Sequence, residues 1–253
     1  MNYYLDLNDN RLKEVARLVK AFYCSKNKEV QIYDLFENIK AISSGDICIL
    51  SPAYKWDKEV LDLLPQGAIV FGGNIPQELT DCASKLDYHN MMQEEGFVVD
   101  NARLTAEGFL AKLIENTKGS IFDERVLIIG SGRVAKALWA VLNKLGLKFD
   151  CTMRNSKELA LSRLLCQEAF DLKSLNEKLK EYSVVINTVP AVLFEDCQNF
   201  ASKAVVFELA SIKCLLNEGE KVKYVLCPAL PAKCSPKTAG KLIFDIVKES
   251  LCK

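Results

Sequence analysis

Histidine is nearly absent, with His89 the single example in 253 residues. It lies in a polar stretch, KLDYHNMMQEEG, without an acid or base partner in its own motif, so it reads as a surface or structural side chain. A Ser-His-Asp hydrolytic arrangement has no other imidazole to draw on. The ten cysteines, at 24, 48, 82, 151, 166, 197, 214, 227, 234 and 252, form no C-x-x-C pair and lack histidines to complete a zinc set, so no metal is expected. They are expected to be reduced and mostly buried, packing as small hydrophobes. Excess charge of either sign is lacking too: 33 basic residues meet 33 acidic ones, which gives no field to gather phosphates and no reason to expect nucleic acid as a partner. No apolar run reaches the roughly 18 residues needed to span a bilayer, so no membrane partner is expected. The opening MNYYLDLNDNRLKEV has acids and amides where a secretory signal needs a basic stretch and an apolar core, and a cytoplasmic location follows.

What is present is alternation. Short β-rich runs and helical stretches follow one another along a chain long enough for two modest domains, the pattern of α/β folds with parallel, doubly wound sheets. Strands are predicted near 2–6, 29–33, 46–50 and 67–71, with helices near 10–23, 57–63 and 75–86. The stretch NARLTAEGFLAKLIENT has apolar residues at 104, 106, 109, 110, 113 and 114, which is helical spacing and predicts a linker helix over 101–118. After it come RVLIIG, LKFDCTM, a weak EAF, SVVINT, AVVFEL and KYVLC, six candidate strands, the number of a dinucleotide-binding (Rossmann) fold. The chain closes on a helix in which Ser235 can cap, Pro236 suits the first position, and Leu242, Ile243, Ile246 and Val247 form one stripe. The expected organisation is a first domain over 1–100, a Rossmann domain over 101–234, and a helix over 235–253 that crosses back onto the first domain.

Gly130-Ser131-Gly132-Arg133-Val134-Ala135 is G-x-G-x-x-A between an apolar strand, Val126 to Ile129, and a helix with apolar residues at 134, 138, 141, 142 and 145. Gly130 would permit the tight turn, Gly132 would let a pyrophosphate approach the helix's positive end, and Ala135 would keep helix and strand close. The choice of nucleotide falls to the end of the next strand, CTMRNS. There Arg154, with Asn155 and Ser156, favours NADP, since a guanidinium offers a planar fork to a 2′-phosphate. NAD is the alternative, through Asp150, 20 residues after Gly130 but inside the strand pattern.

Two further strand ends, Asn187-Thr188-Val189-Pro190 and Glu208-Leu209-Ala210-Ser211, are expected at the carboxyl edge of the same sheet, beside the nicotinamide end of the crevice. In the last loop Pro228, Pro231 and Pro236 stiffen the path, and Lys237 and Thr238 fall in the final helix's first turn, where an anion can be held.

Asp9-Asn10-Arg11, Asn101 with Thr105, Glu107 and Gly108, the glycine turn, Ile186 to Pro190, Leu209-Ala210-Ser211, and Pro228-Ala229-Leu230-Pro231 with Pro236 to Gly240 occur in the order seen in the family of the dipicolinate synthase A subunit, which the chain resembles over nearly its whole length. The resemblance implies a flavodoxin-like first domain and a Rossmann domain binding NADP. It also implies oxidation of a dihydropyridine-type dicarboxylate to dipicolinate in spore-forming bacteria, with a small dicarboxylate substrate and a second, flavoprotein-like subunit. A homo-oligomer stays open. With the rule that ligands lie at the carboxyl edge, the resemblance makes Lys237, Thr238, Asn187 and Glu107 the expected catalytic set. The chain departs from the family pattern at Ile212 to Leu216, where an arginine, a proline and glycines are usual, and at Ala229 and Ala232, where glycines are usual. An alanine where φ must be positive would force another loop path. A lost arginine removes a carboxylate clamp, for which Lys213 could supply charge without the fork. A dehydrogenase or reductase of another small hydroxy or imino acid, or a nucleotide-binding subunit without activity, are the alternatives.

Overall fold

The structure is a computed structural model and describes residues 2–252. The chain divides into two compact units: unit 1 runs through Asn101 and resumes at Pro231, and unit 2 is Ala102–Leu230.

Unit 1 holds β1 (Tyr3–Leu5), β2 (Ile32–Asp34), β3 (Ile47–Ile49), β4 (Ile69–Gly72) and β5 (Asp87–Asn90). The sheet is parallel throughout in the order β2-β1-β3-β4-β5, the doubly wound order of flavodoxin-like sheets. β5 had no signal in the sequence, because Asp87-Tyr88-His89-Asn90 is a polar edge strand and shows no apolar run. The helix α1 (Asn10–Cys24) starts where Asp9 accepts a hydrogen bond from the Arg11 N–H, and it buries Leu12, Val15 and Val19 on one sheet face. The opposite face is covered by α2 (Lys58–Leu63), which buries Leu61, and by α3 (Thr80–Ala83). The helix expected over 75–86 is cut to α3 and one preceding tight turn, because Pro76 holds the chain extended at ψ 145.

The long helix α4 (Glu95–Asn116) begins six residues before the predicted linker helix, since Phe97 and Val98 extend its apolar stripe into unit 1's core. The unit boundary falls within it. Unit 2 contains all six expected strands, β6 (Val126–Ile129), β7 (Phe149–Met153), β8 (Ala169–Asp171), β9 (Val184–Asn187), β10 (Val205–Glu208) and β11 (Lys223–Leu226). Their order, β11-β10-β9-β6-β7-β8, is that of a dinucleotide-binding sheet, parallel at every pairing. The helices α5 (Arg133–Lys144), α6 (Ser156–Ser162) and α7 (Leu175–Lys178) lie between them.

The proline-rich loop contains a short helix, α8 (Leu230–Cys234), and α9 (Pro236–Leu251) packs along α1 within unit 1. Ser235 occupies the cap position of α9, but its side chain makes no capping bond, which corrects the expectation. All ten cysteines are free: five are buried, two half-buried and three exposed, so burial accounts for only half of them. Among the described residues no helix is long and apolar enough to cross a membrane.

Candidate functional site

The glycine turn sits at the carboxyl end of β6, the central strand of unit 2. Gly130 has φ +115, and a Cβ there would stand 2.3 Å from Thr188 Oγ1 and 3.1 Å from Val189 Cγ2, so glycine is required both by conformation and by space. Thr188 is held in that position by its hydroxyl, which donates to the Ile129 carbonyl at 2.7 Å. Gly132 differs. Its φ of −72 suits any residue, and a Cβ there would meet nothing within 4 Å. The protein itself gives no reason for glycine at 132; the open space lies over the first turn of α5, where a pyrophosphate would need to approach. Ala135 is fully buried with Val126 and Ile128, so α5 lies close on the sheet. Ser131 and Val134 are half-buried, and Arg133 and Pro190 are exposed at the same edge.

At the end of β7 the two ribose candidates separate. Asp150 is buried inside the strand, where one oxygen accepts the Glu168 N–H at 2.9 Å and the other the Tyr182 hydroxyl at 2.9 Å. It is a structural carboxylate. Burial, and then the Asp150 carboxylate itself, push the Tyr182 hydroxyl far above its ordinary range. Arg154 is the residue just beyond β7, exposed and without a side-chain partner among the described residues. Asn155 caps α6, accepting the N–H groups of Lys157 (3.0 Å) and Glu158 (3.2 Å), so its oxygen is committed, while Ser156 opens that helix exposed to solvent.

Asn187 ends β9. Its side chain is completely buried: its amide nitrogen donates to the Val189 carbonyl (2.9 Å) and to Glu208 Oε1 (2.7 Å), and its oxygen accepts the Val189 N–H (3.0 Å). Both amide hydrogens and the amide oxygen are used to shape the 187–189 turn, so Asn187 positions the wall behind Gly130. Its partner Glu208 stands opposite in register on β10, 3% exposed, and also accepts from the Ala210 N–H (3.0 Å), the Cys214 N–H (2.7 Å) and the Tyr224 hydroxyl (2.6 Å). Burial pushes the Cys214 thiol up to about 12, with the Glu208 charge adding to it. The strand ends pointed to Asn187 and Glu208 but not to Tyr224 or Cys214, which carry no motif.

The remaining candidates are distributed between the units. Lys237 and Thr238, in unit 1, are exposed in the first turn of α9. Glu14 is held below its usual range mainly by hydrogen bonds from Arg17, with a further, smaller contribution from the Lys237 ammonium. Glu107, in unit 2, pairs with Arg103 at 2.7 Å on the exposed side of α4. Lys213 is paired with Glu218 at 2.7 Å on the surface. Ala229 adopts the left-handed conformation, φ +54, despite its side chain, and Ala232 lies inside α8, where glycine is unnecessary.

No family model matches the chain. It is similar to the A subunit of dipicolinate synthase from Bacillus subtilis (strain 168), 25% identical over 199 residues, 76% of this chain and 67% of that protein. It is also 24% identical over 217 residues to the shikimate dehydrogenase (NADP(+)) of the same organism, covering 81% of this chain and 72% of the relative. The crystal structure of the dipicolinate synthase A subunit from Bacillus halodurans superposes with a TM-score of 0.81 at 21% identity, covering 100% of this chain and 98% of that one. The chain is therefore similar in sequence to the A subunit of dipicolinate synthase and has its two-domain α/β fold, with a nucleotide-binding type of sheet in unit 2.

Proposed function

We propose that the protein is an NADP-dependent oxidoreductase that acts on a small cyclic dicarboxylate, oxidising a dihydropyridine-type ring to dipicolinate as its relatives' name suggests, in a spore-forming bacterium and with a second, flavoprotein-like subunit. The observation that carries the reading is Gly132, a glycine with no conformational or packing reason in the protein, set at the start of a twelve-residue helix on a dinucleotide-type sheet. A nicotinamide bound there supplies hydride transfer; the chain binds and orients. Ser131, Gly132, Arg133 and Val134 would surround the pyrophosphate, Thr188, Val189 and Pro190 would border the nicotinamide side, and Arg154 with Asn155 and Ser156 would meet the 2′-phosphate. Lys237, Thr238, Glu107 and Asn187 remain the proposed catalytic residues, Asn187 through the wall it shapes behind Gly130. The engagement of Lys213 with Glu218, in place of a free arginine fork, favours as second reading a dehydrogenase of another small hydroxy or imino acid.

Cofactor titration tests the assignment. A charge-assisted hydrogen bond contributes roughly 1.5 to 3 kcal/mol, so NADPH should bind about ten to a hundred times more tightly than NADH. Arg154→Asp should reverse that order, because the pocket loses an attraction and gains a repulsion. Equal affinities in the natural protein, or an unchanged ratio in the variant, would assign Arg154 to solvent. No binding of either cofactor at millimolar concentration would remove the nucleotide site.

A further inference from the structure

In unit 1 the chain leaves β1 for one sheet face through α1 and leaves β3 for the other through α2, so the carboxyl ends of β1 and β3 form the topological switch point where doubly wound sheets bind ligands. Arg11 stands there, in the first turn of α1, with its side chain 5% exposed. Nε donates to both oxygens of Asp9 (3.0 and 3.2 Å), and Nη2 donates to Asp9 Oδ2 (2.6 Å) and to Ser51 Oγ (2.7 Å), two residues beyond β3. Nη1 has no partner among the described residues and is not completely sealed, so one donor group of an otherwise enclosed guanidinium is left unpaired.

α9 lies beside α1 with the same polarity. A Cβ on Gly240 would stand 2.5 Å from the Arg11 carbonyl, while Phe244 and Lys248, further along, meet Phe22 near the other end of α1. Glycine at 240 thus lets the first turn of α9, with Lys237, settle against the first turn of α1, and the unbonded Ser235 side chain leaves the amides of that turn uncapped.

We infer that Arg11, fixed by Asp9 and Ser51, is a carboxylate-binding residue of unit 1, taking one carboxylate of the substrate on Nη1. The inference rests on the reading of the substrate as a small carboxylic acid. Asp9 balances the guanidinium charge, and Asp6 lies nearby with its carboxyl pushed up, chiefly by burial. The Asp34 oxygens are occupied by the N–H groups of Leu7, Phe36 and Glu37. Such surroundings suit a single carboxylate held by directed hydrogen bonds and disfavour a phosphate dianion, which separates this edge from the phosphate sites of flavin-binding sheets.

Calorimetric titration of the full-length protein with pyridine-2,6-dicarboxylate, malate and inorganic phosphate tests this. Arg11→Lys keeps the charge beside Asp9 but removes the free fork, and should weaken carboxylate binding about ten- to a hundredfold while NADPH affinity is unchanged. Should that variant fail to fold, Ser51→Ala, which leaves the Asp9–Arg11 pair intact, should still weaken it several-fold. Undiminished carboxylate affinity in the folded variant, equal binding of phosphate, or binding of no carboxylate would overturn the inference. Arg11-dependent binding of malate without pyridine-2,6-dicarboxylate would retain Arg11 and reject the dipicolinate reading.

Discussion

At Ala229 an ordinary side chain sits in the left-handed region, φ +54, between β11 and α8. That conformation costs a non-glycine residue about 1–2 kcal/mol, and the extra freedom that glycine gives the unfolded chain offsets about 0.4–1 kcal/mol of any relief. Ala229→Gly should therefore stabilise the protein by roughly 0.5–1 kcal/mol, read as a melting point about 1–4 °C higher. A lowered melting point would mean that the methyl group has a packing role that outweighs its strain. The case also marks how far single residues could be read. Gly130 was legible because backbone conformation and a steric neighbour both demand glycine, and those demands leave a local pattern. Asn187 was legible as a strand end, but its commitment to Glu208 was not, because that partner lies 21 positions away.

The Glu208 network belongs to the scale of elements, since it fastens β9, β10, β11 and the 210–214 segment through one buried carboxylate. Tyr224→Phe removes one of its donors and should cost about 1–2 kcal/mol at neutral pH. Burial, and then the Glu208 hydrogen bond, raise the Tyr224 hydroxyl above its ordinary value of about 10. A group whose pKa is raised by folding stabilises fully below its unfolded value and loses that contribution as pH climbs past it, so the gap between natural protein and variant should narrow above about pH 10. Urea unfolding at pH 7, 9 and 10.5 measures it; a gap that stays constant would mean that the Tyr224 hydroxyl ionises alike in both states. Elements with continuous apolar runs, such as β6, β9 and β10, could be read directly, because a strand buried on both faces shows in composition alone. β5, α8 and the true start of α4 could not, because a polar edge strand, a five-residue helix and a helix beginning on Glu95-Gly96 are set by tertiary neighbours rather than by periodicity.

At the scale of the molecule, unit 1 is assembled from two distant pieces of chain, and its sheet face is completed only when α9 returns to cover it beside α1. Ile243 and Val247 are fully buried against Leu12, Val15 and Val19, with Leu242, Phe244 and Ile246 partly buried around them. Burying a large aliphatic side chain contributes about 1.5–3 kcal/mol, so the two fully buried residues alone approach the roughly 5–15 kcal/mol that holds a typical domain together. A chain ending at Cys234 should therefore expose unit 1 to proteolysis within residues 2–90, while unit 2, whose core draws its residues from Ala106 to Leu230, stays protected. Since the glycine turn, the 188–190 wall and Arg154 all lie in unit 2, the shortened protein should still bind NADPH with nearly the affinity of the intact chain. Limited proteolysis followed by cofactor titration of the same sample separates the alternatives. Resistance of unit 1 would show that α9 adds little to its core, whereas a protected unit 2 that no longer binds NADPH would place part of the cofactor's binding surface beyond residue 234.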